Sequence, residues 1–288
     1  MLLLDVERAF DRIWHEGLLK KMIDMQFPRY LIKMVQSFLV GRQFQVCVKG
    51  VKSIPHLISF GVPQGAVLSP MLYNIYTSDA PTNITCHRAF FADDTAFFVS
   101  SNLRAPILQK LRDTFTTYLQ YYKKWKITIN INKTQAMFFT RRHTREIPRR
   151  PMRVSGNSIP WSTEPIKYLG ILFDKRMTFR QHTDHVIHKA EAVVKMIYPL
   201  ICRKSRLSIN NKILLYKTVI RPIISYACPV FHDAATIHIK KLQIFQNKLL
   251  RMCLDAPFMT RISQLHDTAK IETIYDHFQK LKSNYSNN

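Results

Sequence analysis

Three carboxylates carry the chemistry this sequence could perform. Asp5 lies at the end of a short apolar run, Leu2 to Val6, and the pair Asp93-Asp94 divides two aromatic runs in Ala-Phe-Phe-Ala-Asp-Asp-Thr-Ala-Phe-Phe-Val-Ser, residues 89 to 100. Phe, Val and Thr favour strands, so residues 89 to 100 are predicted to form a β-hairpin with the acids at its tip. Taken alone, Asp-Asp at a turn is bland, because Asp favours turns through side-chain to backbone hydrogen bonds, and Asp5 or Asp11 could equally cap a helix. Convergence changes the reading. Three carboxylates meeting at the ends of adjacent strands repel one another unless cations lie between them. Two Mg²⁺ ions about 4 Å apart would relieve that repulsion and clamp the attacking and leaving oxygens of an in-line phosphoryl transfer.

The overall charge points the same way. The 288 residues include 43 Lys and Arg against 19 Asp and Glu, a net charge of +24. Such an excess costs self-repulsion and is ordinarily compensated by a polyanion, with nucleic acid first and an anionic membrane surface second. Cys47, Cys86, Cys202, Cys228 and Cys253 lie far apart with no Cys-x-x-Cys pair. That argues against a zinc ribbon or a disulfide framework and for a reducing compartment. The most membrane-like segment, Ile213 to His232, is broken by Lys217, Arg221 and Pro222. Its uncharged runs fall short of the roughly 20 residues a span needs, so no membrane association is expected. No signal peptide is read, since Met-Leu-Leu-Leu meets Asp5 and Glu7 at once.

The elements that must position the acids follow from periodicity. Apolar residues from Leu18 to Leu39, interrupted near Pro28, predict two amphipathic helices. Phe44, Val46 and Val48 alternate with polar residues and predict a half-buried strand over 41–49. Gly61-Val62-Pro63-Gln64-Gly65-Ala66-Val67-Leu68-Ser69-Pro70 reads as a shaped loop in which Gly permits close backbone approach and Pro70 can open a helix over about 71–78. Gln64 is then either idle or held out as a binding amide. Ile107, Leu111, Phe115, Tyr118, Tyr122 and Trp125 line one face of a long helix. Further strands are predicted over 127–131, Ala136 to Thr140 and Tyr168 to Phe173. The result is an α+β fold, a largely antiparallel sheet with helices on one face.

Arg141 to Arg153 contains six arginines opposed only by Glu146, either a solvated tract or a phosphate contact. Glycine is absent after Gly170, and four helices are predicted near 181–203, 209–228, 236–254 and 261–282, with a domain boundary at about 176. On the third of these, Ile239, Leu242, Phe245, Leu249 and Met252 form a packing face. Lys240, Gln243, Asn247 and Arg251 form a second face, either solvated or suited to a nucleic-acid backbone. His182, His185 and His188 spread over roughly 120° of helix circumference with no cysteine near, which favours satisfied or solvent-facing rings over a metal site.

Taken together, these motifs resemble the reverse transcriptase of non-LTR retrotransposons, and among them the jockey-like elements of insects. Asp5-Val6-Glu7-Arg8-Ala9-Phe10-Asp11 resembles the first palm motif, Gly61 to Pro70 the Pro-Gln-Gly motif, and Phe91-Ala92-Asp93-Asp94 the catalytic hairpin. Asn130 to Thr134 resembles the Lys-bearing motif that follows, Lys167-Tyr168-Leu169-Gly170 the primer grip, and Leu215-Tyr216-Lys217 and Arg221-Pro222 features of the thumb. The resemblance implies an RNA-directed DNA polymerase acting on an RNA template, a DNA primer and deoxynucleoside triphosphates. It further implies two Mg²⁺ ions, for which Mn²⁺ can substitute, and action inside the cell, at the nucleus.

By the same resemblance Asp5, Asp93 and Asp94 bind the metals, and Lys133 lies near the leaving pyrophosphate. Phe10 excludes a ribose 2′-OH, Gln64 and Gly65 contact template and nucleotide, and Tyr168, Leu169 and Gly170 support the primer terminus. Ala66 and Arg8 replace a usual Ser and Lys with little consequence. One departure is large. The family's fingers precede the first palm motif, so a palm over 1–176 and an all-α thumb over 177–288 are expected without fingers, as in a truncated copy. A non-catalytic nucleic-acid-binding remnant would share the charge. A group II intron maturase would share the palm, but the insect-like thumb argues against it.

Overall fold

The computed structural model describes residues 1–141, 148, 150–232 and 234–286. They form two compact units: the described residues within Met1–Phe138 and Thr144–Thr163, and those within Phe139–His143 and Glu164–Asn288.

In the first unit β1 (Leu2–Asp5) leads to α1 (His15–Asp24) and α2 (Arg29–Leu39), with Pro28 immediately before the second helix. Four two-residue strands follow: β2 (Gln43–Phe44), β3 (Cys47–Val48), β4 (Val51–Lys52) and β5 (His56–Leu57). Next come α3 (Leu68–Thr77), β6 (His87–Phe91), β7 (Asp94–Phe98) and α4 (Arg104–Lys124). The unit ends with β8 (Gln135–Ala136), β9 (Met152–Val154) and β10 (Asn157–Ile159). The main sheet is antiparallel, in the order β6-β7-β1-β8. Its register sets Leu2 against Phe97, Leu4 against Thr95 and Asp5 against Asp94. Alternation then sorts the faces. Leu2, Leu4 and Phe97 enter a core with Leu111, Phe115 and Tyr118 of α4, whereas Asp5 falls on the opposite side of its strand.

One cation lies inside this core. Lys21, 3% exposed, pairs with Asp79, donates to the Tyr76 carbonyl and sits 3.7 Å from the centroid of the Trp125 ring. Burial lowers its pKa, and Asp79 opposes that shift. Thus one side chain ties α1 to α3 and to the C-terminal end of α4.

The strand predictions are corrected in four places. Of the strand expected over Ala136 to Thr140 only Ala136 is paired, in β8, and residues 137–140 are not strand. Region 41–49 is not half-buried: Phe44, Val46 and Val48 are exposed, because β2–β5 and β3–β4 are two-stranded ribbons that, among the described residues, have no further layer to cover one face. The alternation at 127–131 yields only an isolated bridge from Val6 to Ile129, since Asn130 turns the chain by accepting from the Lys133 and Thr134 amides. Tyr168 to Phe173 is not one strand but parts of two, β11 (Ile166–Tyr168) and β12 (Ile171–Phe173), an antiparallel hairpin folded about Leu169-Gly170.

That hairpin opens the second unit, and helices follow: α5 (Arg180–Ile201), α6 (Ile209–Leu215), α7 (Arg221–Ser225), α8 (Cys228–Phe231), α9 (Thr236–Cys253), α10 (Ile262–Ala269) and α11 (Ile274–Ser286). The helix predicted at 209–228 is interrupted by a π-helical turn, Tyr216–Ile220, just before Pro222 removes a helical N–H. The one predicted at 261–282 is two helices, since Lys270 takes a left-handed φ of 51°.

On α9 the apolar face packs as predicted, but the amide-rich face is not free. Asn247 is buried, and Gln243 donates to Gln246 at 2.9 Å and to Asn247 at 2.8 Å while accepting from the Ile274 amide at 2.8 Å. These amides serve the unit's own interior. His182 is buried against the Phe231 ring, and burial pushes its pKa down to about 4, whereas His185 and His188 are exposed. Of the arginine tract, Arg142, Arg145 and Arg149 lie outside the described residues. Among the described residues no helix is long and apolar enough to cross a membrane.

Candidate active site

The acids are brought together by strand pairing. Asp5 and Asp94 are opposite residues of β1 and β7, which puts their Cβ atoms about 5 Å apart in an antiparallel ladder. Asp93 stands in the two-residue turn between β6 and β7, where Ala92 takes a φ of 53°. A left-handed alanine is strained, and such strain holds only where surrounding pairing imposes it. Desolvation, and then repulsion from Asp93 and Asp5, raises the Asp94 pKa above its ordinary value.

Asp5 and Asp93 line an open cleft of about 430 Å³ together with Glu7, Arg8, Asn130 and Lys133. Lys133 arrives there because the Asn130 amide donates to the Asp5 carbonyl at 2.8 Å and the Asn130 side chain accepts from the Lys133 amide at 3.2 Å. Neither the Asp5 nor the Asp93 carboxylate has an ion-pair partner among the described residues. Two such hard oxygen donors fit Mg²⁺, which is commonly held by one or two carboxylates and completes its shell with water and phosphate oxygens. Asp94 flanks the cleft without lining it. Among the described residues no three His, Cys, Asp or Glu side chains gather closely enough to hold a metal ion on their own.

The Gln64 loop is stitched to the segment after β1. Val62 donates to the Phe10 carbonyl and Gly61 to that of Ile13, both at 2.8 Å. Gly61, at a φ of 78°, comes so close that a Cβ there would stand 2.5 Å from the Asp11 carbonyl oxygen. Gln64 donates to Asp11 at 2.8 Å, a partnership 53 residues apart in sequence that local pattern could not reveal. Phe10 is half-buried with its ring centroid 5.2 Å from that of Tyr73. Gly65, at a φ of 87°, has open space where a side chain would be.

Tyr168, Leu169 and Gly170 belong to the second unit. Leu169 and Gly170 have φ of 46° and 82°, the positive values that primed hairpin turns require. Tyr226, which carried no signal in the sequence, donates to the Leu169 carbonyl at 3.1 Å and would meet a Cβ on Gly170 at 3.0 Å.

An acid-bearing antiparallel hairpin is paired to a second acid-bearing strand, with a lysine at the same cleft, and residues 1–173 match the family described as reverse transcriptase (RNA-dependent DNA polymerase). The chain belongs to that family. Within it, the chain is similar to polymerases of jockey-like non-LTR elements. It is 33% identical over 289 residues to the probable RNA-directed DNA polymerase from transposon X-element of Drosophila melanogaster, covering 99% of this chain and 31% of that protein. It is 31% identical over 290 residues to the RNA-directed DNA polymerase from mobile element jockey of Drosophila funebris, covering 98% of this chain and 31% of the relative. The jockey polymerase of Drosophila melanogaster is 33% identical over 290 residues, with 98% and 31% covered. The chain therefore spans about a third of the length of these curated relatives.

Proposed function

We propose that this chain carries the palm of an RNA-directed DNA polymerase over 1–176 and a helical thumb over 177–288. In this reading Asp5 and Asp93 are metal-binding carboxylates, with Asp94 the third acid beside them. The observation that supports it best is the meeting of Asp5, Asp93 and Lys133, from three separate segments, at one open cleft. Two bound Mg²⁺ ions would supply charge stabilisation for the attacking and leaving oxygens of an in-line nucleotidyl transfer.

The chain's own residues do the rest. Lys133 offers an ammonium to the charge that develops on the leaving pyrophosphate. Phe10, backed by Tyr73, presents a ring that a deoxyribose clears and a ribose 2′-OH does not. Gln64, oriented by Asp11, and Gly65, with a bare backbone, contact the template base and the nucleotide. Tyr168, Leu169 and Gly170 steady the primer terminus on a turn braced by Tyr226. RNA template, DNA primer and deoxynucleoside triphosphates are the substrates, and the nucleus is the place of action.

Mn²⁺ binding, followed by electron paramagnetic resonance on the whole chain and on Asp5→Asn with Asp93→Asn, tests the site. The double variant should lose bound Mn²⁺ while keeping its affinity for RNA, and the same changes in an active polymerase should abolish primer extension. Equal Mn²⁺ binding by both proteins would overturn the metal assignment. A wild-type chain that binds RNA but no Mn²⁺ would instead identify a non-catalytic nucleic-acid-binding remnant.

A further inference from the structure

The second unit contains a groove that the polymerase site does not use. It is an open depression of about 850 Å³ lined by Tyr198 and Arg203 from the end of α5 onward, Lys248 and Arg251 of α9, and Phe258 beyond α9, with Lys204 beside Arg203. Among the described residues no Asp or Glu lines it. Lys204 and Lys248 are exposed and have no carboxylate partner among the described residues. Arg203 is placed differently: its Nε pairs with Asp255 at 3.2 Å and its Nη2 donates to the Ala256 carbonyl at 2.8 Å, which braces the turn that presents Phe258. The Arg251 guanidinium lies 5.9 Å from the Phe258 ring centroid. Phe258 is 84% exposed and Tyr198 52%, so two large rings stand in water among cations.

We propose that this groove binds single-stranded RNA, with phosphates on Lys204, Lys248 and Arg251 and bases stacked on Phe258 and Tyr198. The identity of the ligand rests on the nucleic-acid reading above. Charge complementarity selects a polyanion: besides Arg203, which Asp255 pairs, three cations and, among the described residues, no acid line the groove, on a chain of net charge +24. The exposed rings select a single strand, because stacking platforms need free base faces and the bases of a duplex are already stacked on one another.

Fluorescence anisotropy on the whole chain, with a dodecamer of oligo(U) and an RNA–DNA hybrid of equal length, tests this. Phe258→Ala should weaken oligo(U) binding by roughly fivefold to a hundredfold, the range for one lost stacking platform, and leave the hybrid unaffected. Lys204→Ala with Lys248→Ala should lower the salt slope for oligo(U) by about 1.4, at about 0.7 for each phosphate contact on a single strand. All three side chains are exposed, so thermal unfolding of the variants should match wild type. Irradiation of 5-iodouridine-substituted oligo(U) should cross-link it to the peptides bearing Phe258 or Tyr198. Unchanged oligo(U) affinity in Phe258→Ala, together with an unchanged slope in the lysine variant, would overturn the groove. Equal loss on both nucleic acids would overturn the single-strand assignment, and competition by polyglutamate as effective as by oligo(U) would point to an acidic protein instead. The Mn²⁺ measurement separates the two readings: groove variants should keep it, and its absence in wild type would count against the polymerase site and not against the groove.

Discussion

Replacing Gly61 by Ala tests whether the Gln64 loop is held against the Phe10 segment as tightly as the structure places it. The new Cβ would lie 2.5 to 2.6 Å from the carbonyl oxygen, carbonyl carbon and Cα of Asp11, all backbone atoms that no rotamer change can move away. Gly61 is also fixed from its other sides, since it donates to the Ile13 carbonyl at 2.8 Å and its own carbonyl accepts from His15 at 2.7 Å and from Arg42. A left-handed alanine costs about 1–2 kcal/mol and overpacking a fixed contact about 1–3 kcal/mol more, so the loss should be about 2–5 kcal/mol. At roughly 2–4 °C per kcal/mol for a unit of this size, the melting transition should fall by roughly 5–15 °C. Gly65→Ala is the control. It shares the positive φ, at 87°, but nothing lies within 4 Å of its Cβ, so only the conformational cost of about 1–2 kcal/mol applies. Calorimetry on both variants measures the difference directly. If Gly61→Ala melts no lower than Gly65→Ala, the close approach to Asp11 does not exist and the placement of Phe10 and Gln64 loses its basis.

Other expectations follow from single contacts. Gln243→Leu should destabilise the second unit by about 1–3 kcal/mol, because Asn247 and the Ile274 amide lose a buried partner, and should leave RNA affinity unaltered; no change in denaturant midpoint would return that face to solvent. His182 has a folded-state pKa of about 4 against an ordinary 6.5, so its neutral form stabilises the fold above about pH 6.5 and this contribution is lost as pH falls toward 4. The full loss amounts to about 3 kcal/mol, and denaturant titrations from pH 7 to 4 should show it in wild type and not in His182→Leu. Phe10→Val should raise ribonucleotide relative to deoxynucleotide incorporation in an active polymerase, and unchanged sugar discrimination would leave Phe10 as a packing partner of Tyr73 only.

What the sequence determined alone is local in origin. Period-two and period-three-to-four patterns mark which residues turn inward, so β1, the Asp93-Asp94 hairpin, α4 and the packing face of α9 could be read before any fold was known. Residue chemistry did as much for the acids: charged groups at the ends of apolar strands, in a strongly basic chain, limit the functions open to it. What lies opposite an element is not encoded in its own periodicity. The pairing of Asp5 with Asp94 and the bond from Gln64 to Asp11 join residues 89 and 53 positions apart and exist only once the sheet and loop have closed. The same limit explains the misread segments. Residues 41–49 have strand alternation but no layer to bury it, and the amides of α9 look solvent-facing until α10 and α11 supply His266 and the Ile274 amide as partners. Tertiary structure decided these points because burial and hydrogen bonding are relations between distant segments, whereas propensity belongs to each segment by itself.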